Sequence, residues 1–273
     1  MSLESLLVYL EADREQTNLV HIATDIAARF GSAITGLSAL GVRPPFVADG
    51  VVIDVGGEAE IEQMKLSLAT RESWFRRVAK ERGRAVEWRS GLVSPTMRLI
   101  REAAGADLIV MSQARGLGDI HRRPDLGEVI LRAGRPILVA PEAATGLKAE
   151  RVVLGWKETR EARRALADAM PFLARASQVT IVEICERGEG EAALSDVENV
   201  KRYLEKHQVR SSYEFITRPA GPVGQQLVAI AHQTNADLIV AGAYGHTRLG
   251  EWIFGGATHG LLTASDVCCL MSH

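Results

Sequence analysis

The sequence has few of the features that mark membrane or extracellular proteins. Among 273 residues there are only three cysteines, and none stands in a C-x-x-C pair, so neither a disulfide framework nor a zinc site is indicated. No apolar run approaches the roughly 20 residues that span a bilayer. The formal net charge is −2, so no broad attraction to nucleic acid or anionic membranes is expected. These absences favour a cytoplasmic protein without nucleic-acid or membrane partners.

Signatures of several enzyme classes are also missing. The sequence contains no G-x-S-x-G nucleophile motif, no Walker loop ending in GK[ST], and no GxGxxG fingerprint after the first apolar run. No histidine is visibly paired with a serine or cysteine nucleophile. Cys268 and Cys269 stand in the apolar run VCCLM, which indicates a buried strand. The sequence therefore predicts no catalytic residue and no metal site.

The chain repeats one plan twice. The segment GADLIVMSQAR begins at Gly105, and its counterpart NADLIVAGAYG begins 130 residues later, at Asn235. Upstream of each lies a glycine, followed by a short helical pattern. A repeat of this length is a domain rather than a solenoid unit. We therefore expect two domains, at 1–145 and 149–273, joined at the short segment 144–153.

Within each half, short apolar runs alternate with amphipathic helices. In the first half, strands are predicted near 4–10, 34–39, 85–89, 107–112 and 136–140. In the second half, they are predicted near 151–156, 178–184, 211–216, 237–242 and 267–271. Apolar residues three and four apart predict the helices between them, and Thr159 is a candidate N-cap. The alternation predicts an α/β fold with a doubly wound, five-stranded parallel sheet in each half.

A glycine-rich stretch, GAYGHTRLGEWIFGGATHG (242–260), follows the fourth predicted strand of the second half. Ligands of doubly wound sheets bind beyond the carboxyl ends of strands, which is where this stretch begins. Gly242 and Gly245 permit positive φ and a close backbone approach to a ligand. Gly255 and Gly256 precede a predicted helix, whose free amides and positive dipole end suit phosphate, and Thr258 adds a hydroxyl there. The alternative is a tight glycine turn that holds no ligand.

The same stretch resembles the signature of the universal stress protein family, G-x2-G-x9-G-[ST]. Gly242, Gly245 and Gly255 match its spacing, and the resemblance covers the whole chain as a tandem pair of domains. It implies a Rossmann-like fold of the adenine nucleotide alpha hydrolase-like type. The last strands, 136–140 and 267–271, are then expected to pair across a pseudo-twofold and hide two sheet edges. The chain would be an intramolecular pseudo-dimer, and two chains could associate further as a homodimer.

One branch of this family binds adenine nucleotides, and the resemblance implies where such a site would lie. The implied binding positions are Lys157, Ile184, Ala241, Gly242, Gly245, Gly255, Gly256, Ala257 and Thr258. Two of them depart from the binders. Gly256 replaces the final Ser/Thr of the signature, and Lys157 replaces an aspartate that meets the adenosine. A lysine could pair with a phosphate, or its bulk could fill the adenosine site.

The first half departs further from the signature. The positions that align there with Gly242, Gly245, Gly255 and Gly256 are Ser112, Arg115, Arg123 and Pro124. Proline brings no amide donor, and a phosphate nest needs free backbone amides. We therefore predict a degenerate site in the first half, with His121, Arg122 and Arg123 forming a solvated loop. For the segment 41–60, a lid, a partner-contact flap and a surface loop all stay open.

Two functions of different classes follow from the resemblance. The first is a cytoplasmic stress-response regulator or sensor that binds ATP or another adenine nucleotide in its second half, as a ligand and with at most weak hydrolysis. The alternative is an interaction or scaffold protein of the same fold that binds no nucleotide. A hydrolase-like enzyme is the least favoured, because the pyrophosphatase loop SGGxDS follows neither first strand.

Overall fold

A computed structural model of the chain describes residues 3–43, 46–48, 51–53, 57–113, 119–185, 190–217, 221–244, 258, 260–262 and 265–273. The predicted alternation of strands and helices is present in both halves. Every predicted strand is found, with ends that differ from the expectation by at most two residues. None of the helices in the described residues is long and apolar enough to cross a membrane.

The elements of the first half are, in chain order, β1 (Ser5–Tyr9), α1 (Thr17–Phe30), β2 (Ala33–Ala39), β3 (Phe46–Ala48), β4 (Val51–Ile53), α2 (Glu58–Glu81), β5 (Glu87–Gly91), α3 (Pro95–Glu102), β6 (Leu108–Ser112), α4 (Leu126–Arg132) and β7 (Ile137–Ala140). Strands β3 and β4 pair with each other as a small antiparallel hairpin. The segment 41–60, for which three interpretations were open, therefore contains a hairpin that the sequence analysis did not predict.

The elements of the second half are β8 (Arg151–Trp156), α5 (Arg160–Leu173), β9 (Gln178–Cys185), α6 (Gly190–Lys206), β10 (Ser211–Thr217), α7 (Val223–Thr234), β11 (Leu238–Gly242) and β12 (Cys268–Ser272). Thr159 caps α5, because its Oγ1 accepts a hydrogen bond from the Ala162 amide at 3.2 Å. The predicted N-cap is thereby confirmed.

One ten-stranded sheet runs through both halves, in the order β10-β9-β8-β11-β12-β7-β6-β1-β2-β5. Each half contributes five strands in the same order, and the neighbours within each half are parallel. The join between the halves is the antiparallel pair β7–β12. This topology confirms the predicted fold, including the pairing of the two last strands.

The β7–β12 join is symmetric in its register. Leu138 lies opposite Leu270, while Ile137 lies opposite Met271 and Val139 opposite Cys269. Both central leucines are fully buried, at 0% exposure. The pattern reads the same from either strand, so the two halves are related by a pseudo-twofold axis that passes between Leu138 and Leu270.

The two halves also share a hydrophobic core. Helices α1, α2, α5 and α6 contribute to one apolar cluster on one face of the sheet, and α3, α4 and α7 to another on the opposite face. The Phe30 ring at the end of α1 lies edge-on to Phe172 of α5, with centroids 5.1 Å apart. The Arg175 guanidinium lies 4.2 Å from the centre of the Phe30 ring. Burial on this scale makes independent unfolding of one half costly.

Two aspartates at equivalent positions organise the starts of strands. Asp107 Oδ2 accepts hydrogen bonds from the amides of Glu4 and Ser5, at 2.9 and 3.0 Å. Asp237 Oδ2 accepts from the amides of Lys148 and Ala149, at 2.8 and 2.9 Å. These contacts satisfy backbone donors that no strand neighbour reaches. Both aspartates therefore cap the chain segments that lead into β1 and β8.

The cysteines give a first testable prediction. All three are buried, and burial raises the pKa of Cys268 and of Cys269 to about 12. Since the thiolate is the reactive form, iodoacetamide at about pH 8 should leave both thiols of the folded protein unmodified. Mass spectrometry should find all three thiols alkylated once the protein is unfolded in guanidinium. Prompt alkylation of Cys269 without denaturant would contradict the burial.

Candidate functional site

The predicted site residues meet at one edge of the sheet. Lys157 directly follows β8, Ile184 is the next-to-last residue of β9, and Gly242 is the last residue of β11. These three strands are neighbours in the order β9-β8-β11, and they run parallel. Their carboxyl ends therefore lie side by side, as expected for a ligand site of this sheet type. Four further predicted positions lie outside the described residues: Gly245, Gly255, Gly256 and Ala257.

Lys157 lies on the solvent side of this edge. Its side chain is exposed, and its carbonyl accepts a hydrogen bond from the Thr159 amide at 2.7 Å, just before α5 begins. Within the described residues no carboxylate forms an ion pair with it. The exposed ammonium group can therefore meet an anion without first breaking a salt bridge. Of the two predicted alternatives, the exposure favours phosphate pairing over a side chain that fills a buried pocket.

Gly242 has a packing role in addition to the binding role predicted for it, and the binding role stays a prediction. A Cβ at this position would lie 2.6 Å from the backbone N of Ala162 and 2.6 Å from the backbone C of Glu161. Its φ is outside the left-handed region. The backbone of Gly242 therefore lies close against the first turn of α5, and this contact fixes the start of α5 against the end of β11.

Thr258 and Tyr244 bring together the two ends of the segment 245–257. The Tyr244 amide donates to Thr258 Oγ1 at 3.4 Å, and Thr258 is buried. Tyr244 adopts φ of 61°, which is uncommon for a bulky residue. The predicted hydroxyl of Thr258 thus already accepts a hydrogen bond from the protein, and its hydrogen remains to be donated elsewhere. The glycine-rich segment leaves and re-enters the fold at one place, beside β11.

Strand register identifies the equivalent positions of the first half. Val8 lies opposite Val110 in the β1–β6 pair, just as Leu154 lies opposite Val240 in the β8–β11 pair. Counting three residues onward from Val8 and Leu154 makes Glu11 the equivalent of Lys157. The same comparison of β2 with β9 makes Ala39 the equivalent of Ile184. Sequence reasoning missed Glu11, although the repeat of RVVLGW on SLLVYL was enough to locate it.

In the first half, all three equivalent positions are engaged internally. Glu11 Oε2 forms an ion pair with Arg123 Nε at 3.0 Å. The Ala39 carbonyl accepts a hydrogen bond from Tyr9 Oη at 3.4 Å, and Ser112 Oγ accepts one from Gln16 Nε2 at 2.7 Å. Burial raises the pKa of Tyr9 well above its usual value. Arg123 was expected in a solvated loop, and that expectation is wrong, because its guanidinium reaches a buried carboxylate. All three positions therefore contact other parts of the first half, and Glu11 Oε2 does so through its ion pair and not through a hydrogen bond.

The second half carries smaller or opposite residues where those contacts would form. Gly155 stands at the position of Tyr9, Lys157 at that of Glu11, and Gly242 at that of Ser112. None of the three can make the bond that its counterpart makes. The carboxyl edge of each half is the side of the sheet where its parallel strands end. Among the described residues, the carboxyl edge of the second half therefore lacks the internal contacts that the carboxyl edge of the first half has.

A cavity of about 310 Å³ lies beside the engaged edge of the first half. It is lined by the start of α1 and the ends of β6 and β7. Its charged lining includes Arg14 but also Glu15 and Glu142. Two carboxylates against one guanidinium do not favour an anion, so this cavity adds no second phosphate site.

The geometry can now be set beside known proteins. Residues 148–273 match the model of the universal stress protein family. Over its whole length the chain is similar in fold to a universal stress protein from Archaeoglobus fulgidus DSM 4304, at 15% identity, with 99% of this chain and 96% of that chain covered and a TM-score of 0.76. It is also similar to a functionally unknown protein from Pseudomonas aeruginosa PAO1, at 15% identity, 99% and 92% coverage and a TM-score of 0.61. No curated protein matches the sequence.

The region that matches the family model spans β8 to β12 and every predicted site position. The first half repeats its strand order but lies outside the family match. At 15% identity the likeness of the whole chain shows the fold alone. The division of roles between the halves stays a prediction.

Proposed function

We propose that this chain is a tandem universal stress protein, with domains at 1–145 and 149–273, that binds ATP or another adenine nucleotide in its second half. The observation that carries the proposal is the contrast between the two carboxyl edges. In the first half, Tyr9, Glu11 and Ser112 form internal contacts there, while the second half has Gly155, Lys157 and Gly242 at the equivalent positions. The chain would act as a cytoplasmic stress-response regulator or sensor, with the nucleotide as signal.

The site chemistry favours contact with phosphates. The exposed Lys157 ammonium supplies the positive charge, and the glycine-rich segment after β11 supplies backbone amides. In this proposal the backbone of Ile184, at the end of β9, would meet the base. Because a lysine replaces an acidic acceptor at the first strand, the ribose hydroxyls lose a partner. We therefore expect affinity to rise with the number of phosphates, from AMP to ADP to ATP.

The scaffold alternative also has an observation in its favour. The packing of α5 is enough to explain why position 242 requires a glycine. The hydrogen bond from the Tyr244 amide is enough to explain the hydroxyl of Thr258. Two residues of the signature thus have structural roles that require no ligand. If the remaining glycines serve only a turn, the edge of the second half would be a surface for another protein.

Calorimetric titration of the purified protein with ATP, ADP and AMP separates the two functions. Lys157→Gln should weaken ATP binding about tenfold, equivalent to about 1.4 kcal/mol, and AMP binding by less, since it removes one charged phosphate contact. Gly245→Val should abolish binding, because the side chain stands where the backbone would approach the phosphates.

Gly105→Val in the first half serves as the matched control, since a Cβ there meets open space. It should bind ATP like the wild type. Absence of binding to all three nucleotides at millimolar concentration would reject the nucleotide function and favour the scaffold. Phosphate release measured in the same samples tests the enzyme alternative, for which we expect at most slow turnover.

A further inference from the structure

The segment 119–123 of the first half lies across the ends of strands β1 and β2. The Gly41 amide, two residues beyond β2, donates to the His121 carbonyl at 2.6 Å. A Cβ on Gly41 would lie 3.1 Å from His121 Nδ1 and 3.2 Å from its Cα. The two backbones are therefore in direct contact, with no room for another group between them.

The same segment is a preformed turn. Asp119 Oδ1 accepts from the His121 amide at 2.9 Å, and the Asp119 carbonyl accepts from the amides of Arg122 and Arg123 at 2.8 and 2.9 Å. Arg43 forms an ion pair with the Asp119 carboxylate and, with the His121 amide, lowers the pKa of that carboxyl. Asp119 thus organises the turn and ties it to the chain beyond β2.

At its other end, the segment is held by a nearly buried ion pair. Arg123 Nε lies 3.0 Å from Glu11 Oε2, and the Glu11 side chain is only 10% exposed. Arg14 is the second cation near this carboxylate, at 3.7 Å. The Glu11 amide donates to Gln16 Oε1 at 2.8 Å, so the backbone of the residue is fixed as well. The Arg123 side chain is 34% exposed, so removal of Arg123 would be felt mainly by the nearly buried Glu11 carboxylate, which would keep only the more distant Arg14.

We propose that residues 119–123 form a closing segment that bars small ligands from the carboxyl ends of β1 and β2, and that the Glu11–Arg123 ion pair keeps it closed. In sequence the segment follows β6, as the glycine-rich stretch follows β11 in the second half. Opening would uncover the Glu11 carboxylate and the Gly41 amide together. This device does not depend on whether the second half binds a nucleotide.

Amide hydrogen exchange, followed residue by residue by NMR, tests the closing segment without any ligand. Glu11→Gln and Arg123→Gln should each raise the exchange rate of the Gly41 amide by about tenfold or more, while the amides of β11 in the second half keep their wild-type rates. The double variant should resemble either single variant, because both changes remove one and the same pair.

Arg122→Gln is the matched control on the same segment. Arg122 lies 3.8 Å from Glu60, and its side chain is 41% exposed, so loss of this pair should leave the Gly41 rate unchanged. Should the Glu11 variant fail to fold, Gly41→Ala retains every charge and should open the segment through the contact with His121. The proposal would be overturned if the amide of residue 41 exchanged at the wild-type rate in both Arg123→Gln and Gly41→Ala. It would also be overturned if Arg122→Gln raised that exchange rate as much as Arg123→Gln does.

Discussion

Gly242→Ala should lower the free energy of unfolding by about 2 to 3 kcal/mol, although it adds a single methyl group. The added Cβ would lie 2.6 Å from two backbone atoms of the first turn of α5, and backbone atoms cannot rotate away as a side chain can. Helix α5 must therefore shift as a unit, against Phe172 and the rest of the shared core. Urea denaturation, followed by circular dichroism, measures the change.

Gly155→Ala is the control for this substitution. Gly155 lies on β8, next to β11, and its added Cβ would meet the end of the Leu227 side chain at 3.0 Å. A flexible leucine can give way, so we expect a loss below about 1 kcal/mol. Equal losses for the two alanine variants would contradict the packing role assigned to Gly242.

Leu270→Ala should destabilise the whole chain, by about 2 to 5 kcal/mol. Leu270 is fully buried on β12, opposite Leu138 of β7, so the truncation leaves a cavity at the join between the halves. Because the core cluster on one face contains residues from both halves, we expect a single unfolding transition at a lower urea concentration. Circular dichroism and tryptophan fluorescence should report the same midpoint.

Leu131→Ala is the comparison for a leucine that is not in the core. It lies on α4 and is 43% exposed, so its truncation should cost less than about 1 kcal/mol. Two separate transitions in Leu270→Ala, one of them at the wild-type midpoint, would show that the halves unfold independently. A wild-type midpoint in this variant would contradict the importance of the β7–β12 join.

The fold could be predicted from the sequence because its determinants are local and repeated. Runs such as DLIV predict buried strands on their own, and their recurrence in the second half predicts the same strand order there. The β3–β4 hairpin was missed because its strands have only three residues each, and a proline pair precedes them. So short a pattern does not stand out from a surface loop.

The candidate site could be predicted only in part, because several of its contacts join residues that are distant in sequence. Glu11 and Arg123 are 112 residues apart, and no local pattern links them. The packing role of Gly242 was missed because the sequence alone does not distinguish a glycine required for helix packing from one required for a ligand. The resemblance to the universal stress protein signature suggested the loop positions Gly245, Gly255, Gly256 and Ala257, and they stay predictions.

The symmetric join of β7 and β12 has a consequence for how the protein could evolve. In a homodimer both copies come from one gene, so any substitution changes both sites at once. Here a gene duplication followed by fusion would have placed the two subunits on one chain, and each could then acquire its own substitutions. The acidic Glu11 and the basic Lys157 at equivalent positions are a difference of this kind. In a homodimer the two equivalent positions would carry the same residue, so this difference could not arise.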